Sequence, residues 1–173
     1  MTHVDYNSLT KEEQIKAVSS NVSVIKYMDN PVEEAQLIAV KRDYWFISSI
    51  KNQSEKVQLA AVNQNGFAIE YIANPTEEVQ LAAVNQNGWV IEYIANPSEK
   101  VQLAAVKQNG FAIKCIDKPS KEVQLAAVTQ NGIVIKYIEN PSEELQLAAA
   151  KEHAWVIASI KNPSEEVQWV CIQ

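Results

Sequence analysis

Cysteine, histidine and glycine are scarce in this chain, and each scarcity removes a class of function. Of 173 residues, two are cysteine (Cys115 and Cys171) and two are histidine (His3 and His153). Two cysteines form no disulfide framework and fit a reducing compartment. So few thiols and imidazoles, far apart in the chain, leave no zinc ligand set. The four glycines stand singly, which excludes a Walker-type phosphate loop. Basic residues are also few: 15 Lys and Arg against 21 Asp and Glu, a formal net charge of -6. Phosphate-rich partners need clustered Lys and Arg, so nucleic acid and anionic membranes are disfavoured. No apolar run approaches the length of a bilayer span. The start, Met1-Thr2-His3-Val4-Asp5, has neither a basic segment nor an apolar one, so no secretory signal is expected. A soluble cytoplasmic protein with no membrane contact and no cofactor is the expectation.

What the chain has in excess is repetition. Pro75, Pro97, Pro119, Pro141 and Pro163 follow one another at steps of 22 residues, and Gly66, Gly88, Gly110 and Gly132 keep the same step. Pro31 stands two periods before Pro75, with Gln53 in the slot between. The unit reads Asn-Pro-Ser-Glu-Glu-Val-Gln-Leu-Ala-Ala-Val-x-Gln-Asn-Gly-x-x-Ile-x-Tyr-Ile-x. Units start near Ser8, Asn30, Asn52, Asn74, Asn96, Lys118, Asn140 and Asn162, the last being a half unit. One helical-repeat domain over residues 1–173 is expected.

Each unit carries helix punctuation. In Asn96-Pro97-Ser98-Glu99, Asn suits the N-cap, Pro the first helical position and Glu the reach back to the cap. Gly110 suits a left-handed residue just past a helix end. These signals predict helix A from about Pro97 to Gln108. Val101, Leu103, Ala104, Ala105 and Val106 spread around most of that helix, which predicts burial on nearly all sides.

The second half of the unit is more ambiguous. Asn-Gly before alternating apolar residues is also a hairpin signal, and Ile, Val and Tyr favour strands. The columns of the repeat favour a short helix B. Ile25 to Ile157 form one apolar column, Met28 and then Ile50 to Ile160 another, with a third just before the first (Val24, Phe46, Ala68). Apolar residues at i, i+1 and i+4 lie on one helical face. Between the two isoleucine columns stands a mostly polar one: Lys26, Ser48, Glu70, Glu92, Lys114, Lys136 and Ala158. A strand would place it on the face of two apolar columns. The rival reading is a helix-plus-strand solenoid of the leucine-rich-repeat kind. The favoured fold is all-α, a right-handed α-solenoid of seven full two-helix repeats and a terminal half repeat. A single such unit cannot bury its own apolar face, whereas a stack can.

Units of the form Asn-Pro-Ser-Glu-Glu-Val-Gln-Leu-Ala-Ala-Val-x-Gln-Asn-Gly resemble a short helical repeat of unknown function found in bacterial and phage proteins. More loosely, they are similar to leucine-rich-variant and HEAT-like units. The resemblance covers nearly all of the chain and implies an α-solenoid. It carries no catalytic residues, and no cysteine cluster matches the iron–sulfur module found on some leucine-rich-variant proteins. For a phage protein, it implies an inhibitor that binds a host protein in the host cytoplasm.

Residue types point away from catalysis. His153 falls in the column of Asn65, Asn87, Asn109 and Asn131 and reads as a helix-end residue. Cys115 and Cys171 replace Tyr and Ala in their columns and read as packing residues. The acid pairs Glu33/Glu34, Glu77/Glu78, Glu143/Glu144 and Glu165/Glu166 stand at helix starts, where the helix dipole accounts for them. The other reading is an acidic ridge that imitates DNA phosphates, interrupted by Lys56, Lys100 and Lys121.

Two columns are candidates for more than packing. The glutamines Gln36, Gln58, Gln80, Gln102, Gln124 and Gln146, with Gln14 and Gln168 at the ends, read as a half-buried amide ladder between units or as a row that grips a peptide backbone. The aromatics Trp45, Phe67, Trp89, Phe111 and Trp155, with Tyr71, Tyr93 and Tyr137 one turn on, read as wedges between layers or as a binding ridge of the kind that supplies interface hot spots. Exposed columns also vary between units, as in Lys41-Arg42-Asp43 against Asn63-Gln64-Asn65, which suits partner-specific contacts. The expected function is a non-enzymatic module that binds a protein partner. An acidic DNA mimic or nucleic-acid reader and a small-molecule or nucleotide binder are the alternatives. Because the chain ends inside a helix A at Gln173, Trp169 and Ile172 are expected either to cover that end or to meet a second copy.

Overall fold

In most units a hydroxyl two places after the repeat's first residue decides where the long helix begins, and only in the second unit does Val32 stand there without one. The computed structural model of the chain describes residues 5–152, 154–160 and 162–170. Among them the α-helices are α1 (Lys11–Ser20), α2 (Glu33–Arg42), α3 (Glu55–Gln64), α4 (Glu77–Gln86), α5 (Glu99–Gln108), α6 (Lys121–Gln130), α7 (Glu143–Glu152) and α8 (Glu165–Val170). Ser54, Ser98 and Ser120 have extended backbone, and their hydroxyls accept the amides of Val57, Val101 and Val123 at 3.3–3.4 Å. The expected start at Pro97 with an Asn cap is therefore two residues early. Asn96 cannot be that cap because its backbone is left-handed, at φ 51°, whereas a cap residue is extended, as Ser98 is. Helix α1 carries a full capping box, with Thr10 and Glu13 bonded reciprocally.

The repeat's Asn has another task. Asn74, Asn96, Asn140 and Asn162 all take positive φ, between 51° and 59°, in the bend before the proline. Asn tolerates that left-handed region better than most side chains because it can bond locally. Lys118 holds the same conformation at φ 51° without that capacity. Substituting Lys118→Asn is expected to stabilise the fold by about 0.5–1 kcal/mol, read as a higher urea midpoint at unchanged slope.

Before the first α-helix and between each later pair lie short 3₁₀ helices: η1 (Tyr6–Ser8), η2 (Val22–Tyr27), η3 (Tyr44–Ser49), η4 (Gly66–Tyr71), η5 (Gly88–Tyr93), η6 (Gly110–Cys115), η7 (Gly132–Tyr137) and η8 (Ala154–Ser159). The expected helix B is thus helical and of the tighter kind, and no strand occurs among the described residues. One Asn makes the junction. The Asn65 amide donates to the Ala61 carbonyl at 3.0 Å and ends α3, and its Oδ1 accepts the Phe67 amide at 3.0 Å and starts η4. Asn21, Asp43, Asn87, Asn109 and Asn131 cap the following 3₁₀ helix in the same way. Because side chains at i and i+3 eclipse in a 3₁₀ helix, Ile69 and Ile72 fall on one side and are both buried.

The glycines of this junction do not supply left-handed backbone, contrary to expectation, since none has positive φ. They supply space. A Cβ on Gly66 would stand 2.7 Å from the Ala83 carbonyl oxygen of the next helix. The 3₁₀ segment approaches that helix too closely for any side chain.

The chain divides into two units, residues 1–86 and 87–173. In the first, α1 to α4 pack each against the next, and η2, η3 and η4 each lie against the helix before and the helix after. In the second, α5 to α8 pack successively and η5 to η8 likewise. Each core holds the inner Val, Ala and Ile columns: Val57, Ala61, Val62 and Ile69 in one, Val123, Ala127, Val128 and Ile135 in the other. Burying each such Ile or Val side chain contributes about 1.5–3 kcal/mol. Helix A is not buried on nearly all sides. Leu103, Ala104, Leu125 and Ala126 are only half-buried. No described helix is long and apolar enough to cross a membrane.

His153, Cys171, Ile172 and Gln173 lie outside the described residues, and with them the expectations placed on His153, Cys171 and Ile172, whereas Trp169 is described and stands 68% exposed.

Candidate functional site

The 3₁₀ helices put inward both an isoleucine and the small apolar residue just before it, so aromatic residues two places before or after that isoleucine are left on the outer side. Ile91 and Ile135 are each 1% exposed, whereas Tyr93 and Tyr137 are 41% exposed, Trp45 48% and Trp155 58%. The fold therefore leaves large aromatic surface in water. Phe67 is also exposed, and Tyr71, Trp89 and Phe111 are half-buried.

In the first unit the structure brings Trp45 and Tyr71 together, edge to face, with ring centroids 4.9 Å apart. Burial, with Glu70 adjacent, pushes the Tyr71 phenol above its ordinary pKa, so it remains a neutral hydroxyl. Tyr6 and Tyr27 stack at 6.0 Å, and the Lys26 ammonium lies 5.5 Å from the Phe46 ring. Tyr6, Tyr27 and Phe46 were not among the expected ridge residues. Tyr6 precedes the repeat, Tyr27 stands in the first unit in the column of Tyr71, Tyr93 and Tyr137, and Phe46 occupies a column of smaller apolar residues.

The second unit holds a larger cluster. Trp89 and Phe111, from η5 and η6, lie nearly parallel with centroids 6.5 Å apart. Tyr137 of η7 meets Phe111 edge to face at 6.2 Å. Lys114 stands between layers, its ammonium 5.9 Å from the Trp89 ring and 5.0 Å from Tyr137, and Lys136 is 5.0 Å from Tyr137. Such cation–ring contacts contribute about 0.5–1 kcal/mol at exposed sites. Sequence reasoning read the two lysines only as members of a polar column. Their place among the rings depends on how adjacent layers lean together, which periodicity does not report. Open clefts of ≈ 600 and ≈ 680 Å³ flank the loop after η7, and both include Tyr137, Ile138 and Glu139.

The glutamine column has a definite geometry. Gln80, Gln102, Gln124 and Gln146 each donate from Nε2 to the carbonyl five residues earlier, at 2.9–3.0 Å. That carbonyl belongs to the repeat's proline, so each amide ties its helix to the bend before it. The Oε1 atoms of Gln14 and Gln146 accept the amides of Val32 and Ser164, 18 residues on, at 2.9 and 3.1 Å. Gln36 bonds the Pro31 and Asn52 carbonyls, and Gln58 bonds the Gln53 carbonyl at 3.4 Å. In the slot where prolines recur, Gln53 donates to three carbonyls, those of Ile47, Ile50 and Tyr71.

Sequence reasoning missed a second amide ladder. Gln108 and Gln130 accept the Gly88 and Gly110 amides of the preceding layer at 2.6 and 2.7 Å, and Gln64 bridges the Tyr44 amide and the Lys41 carbonyl. The signal was the recurring Gln of Gln-Asn-Gly. Both columns thus point their amides into backbone.

Elsewhere little reactive chemistry assembles. Burial pushes the half-buried Cys115 thiol above its ordinary pKa, which keeps it protonated and weakly nucleophilic at neutral pH. Among the described residues no group of three His, Cys, Asp or Glu converges to hold a metal. The helix-start acids pair across layers, Glu34 with Lys11 at 2.8 Å and Glu33 with Lys56 at 3.5 Å. Bonding to Lys11 holds the Glu34 carboxyl below its usual range. On the helical side, a shallow groove of ≈ 380 Å³ runs between α5 and α6 over Leu103, Leu125 and Ala126.

Comparison with family models, with curated proteins and with solved structures yields no match.

Proposed function

We propose that the chain is a non-enzymatic helical-repeat module, of the right-handed solenoid class expected from its period, that binds a protein partner through the outward face of its 3₁₀ helices. The observation that carries this reading is the exposure of Trp and Tyr at positions the core does not use, beside isoleucines that it buries almost fully. Leaving rings of that size in water gains nothing for folding, whereas a partner that covers them gains their apolar area. Trp and Tyr are also the residues that most often carry interface hot spots. A nucleic-acid partner is less well served. Stacking on aromatic faces is present, but the charge of the chain opposes a polyphosphate.

Trp155→Ala and Trp89→Ala are expected to weaken partner binding about tenfold or more. Trp155→Ala should leave the circular dichroism spectrum and thermal midpoint unchanged. Undiminished binding by both variants removes the ring face from contention.

A second reading has its own support in the two clefts beside Tyr137, whose volumes fall in the range of small-ligand sites. A thermal shift with nucleotides or other metabolites, abolished by filling the cleft with Ser159→Trp, would favour it. Silence across such a panel leaves the protein-binding reading alone.

A further inference from the structure

We infer that the four Asn-Gly junctions are latent modification sites, closed while the layers are stacked and converted to isoaspartyl-glycine when the neighbouring layer opens. The inference is independent of the protein-binding reading and concerns how long a stack keeps its form.

The reaction is intramolecular and takes water as its only co-reactant. The glycine nitrogen gives up its proton and attacks the asparagine Cγ. A C–N bond forms, the bond from Cγ to the side-chain nitrogen breaks, and ammonia leaves a five-membered imide behind. Water then opens the imide at one of its two carbonyls. Attack at the side-chain carbonyl gives aspartate, and attack at the main-chain carbonyl gives isoaspartate. Glycine hinders the first step least, because no side chain stands beside its nitrogen. The pairs are Asn65-Gly66, Asn87-Gly88, Asn109-Gly110 and Asn131-Gly132.

The folded junction forbids that first step. Ring closure needs the glycine nitrogen eclipsed with Cβ, which tetrahedral geometry at Cα places at a ψ of about −120°. The four asparagines have ψ between 105° and 119°, so the nitrogen is turned away from the side chain. Hydrogen bonds on every side hold it there. Each asparagine Oδ1 accepts the amide two residues on, at 3.0–3.2 Å. The Asn65, Asn109 and Asn131 amides donate to the helix before. From the next layer, Gln108 and Gln130 accept the Gly88 and Gly110 amides themselves. Turning ψ therefore means lifting the 3₁₀ helix off the helix that follows.

The product decides whether the layer can close again. Aspartate fits, since Asp43 holds the same place before η3, where it ends α2 and accepts the Trp45 amide at 2.9 Å. Isoaspartate does not, because it adds a methylene to the main chain just ahead of the glycine. A Cβ on Gly110 would already stand 2.8 Å from the Ala127 carbonyl oxygen, so the junction has no slack for a longer chain. Conversion makes a transient opening permanent.

The test follows conversion at the four asparagines of the whole chain, folded and urea-unfolded, by peptide mapping with fragmentation that separates isoaspartate from aspartate. Folded sites are expected to convert at least about tenfold more slowly, as rarely as a layer opens. Gln130→Ala should speed Asn109 roughly threefold to tenfold, and Gln108→Ala should do the same at Asn87, while Asn65 in the other unit keeps the parent's rate. Chain recovered with isoaspartate at position 109 should exchange the amides of η6 and α6 faster than the parent, whereas Asn109→Asp should exchange them as the parent does. Conversion of the folded parent at the unfolded rate overturns the inference, and this arm decides even if a glutamine variant does not fold. Acceleration at all four sites alike by a folded Gln130→Ala, or an isoaspartate form protected like the parent, overturns it too.

Discussion

Gly66→Ala is expected to lower stability by about 2–3 kcal/mol, although a glycine-to-alanine change in ordinary helical backbone stabilises by about 0.4–1 kcal/mol through the unfolded state. Space decides the sign. The new Cβ would lie 2.7 Å from the Ala83 carbonyl oxygen and 3.2 Å from the Gln86 Cβ. The nearest obstacle is backbone of α4, which cannot swing aside as the end of a side chain can. Relief requires η4 and α4 to separate, and their separation loosens the packing of Ile69 and Ile72 beneath them. Gly132 provides the internal comparison. Its Cβ would stand 3.0 Å from the Ala149 carbonyl oxygen, so Gly132→Ala should cost markedly less. Urea midpoints of the two variants check the gradient. Equal midpoints, or a gain at Gly66, would mean that the junction glycines are not there for close approach.

Gln146→Leu is expected to cost about 2–4 kcal/mol. Leucine nearly preserves the volume, so packing contributes little and the polar account decides. The Gln146 amide donates to the Pro141 carbonyl at 3.0 Å and accepts the Ser164 amide at 3.1 Å, and the side chain is buried. Substitution leaves two backbone groups without partners where water reaches poorly, each costing about 1–3 kcal/mol. One of them belongs to the residue that caps α8, so the last layer should loosen first, visible as faster amide exchange from Glu165 onward. Among the described residues the exposed counterpart Gln168 bonds the Pro163 carbonyl at 3.0 Å, and Gln168→Leu should cost less than about 1 kcal/mol. If both substitutions prove mild, the glutamine column holds the layers less than its geometry implies.

Much of the fold was legible because the repeat prints the same physical constraint many times. Alanine and valine recur where helices touch, isoleucine where the short helix faces inward, and Asn-Gly where one helix hands over to the next. What remained illegible depends on neighbours across layers. Asn96 and Ser98 are both good caps in isolation, and only the left-handed backbone that Asn96 takes in the bend separates them. Gly110 looks like a left-handed residue until the Ala127 carbonyl is placed 2.8 Å from its absent Cβ. A helical wheel shows Leu103 among apolar companions and cannot show that it stays half-buried. For the candidate site, the aromatic columns were visible as columns, but not which rings would meet. Lys114 is four residues before Lys118 in sequence and bears no mark there of lying between Trp89 and Tyr137.

The most direct test of the ring face as a protein-binding surface is affinity capture from source-cell lysate with the parent chain and with the Trp89→Ala/Trp155→Ala double variant, read out for both protein and nucleic acid. A protein retained in stoichiometric amount by the parent and lost from the folded double variant is the predicted result. Equal retention by both chains, or recovery of nucleic acid in place of protein, would contradict it.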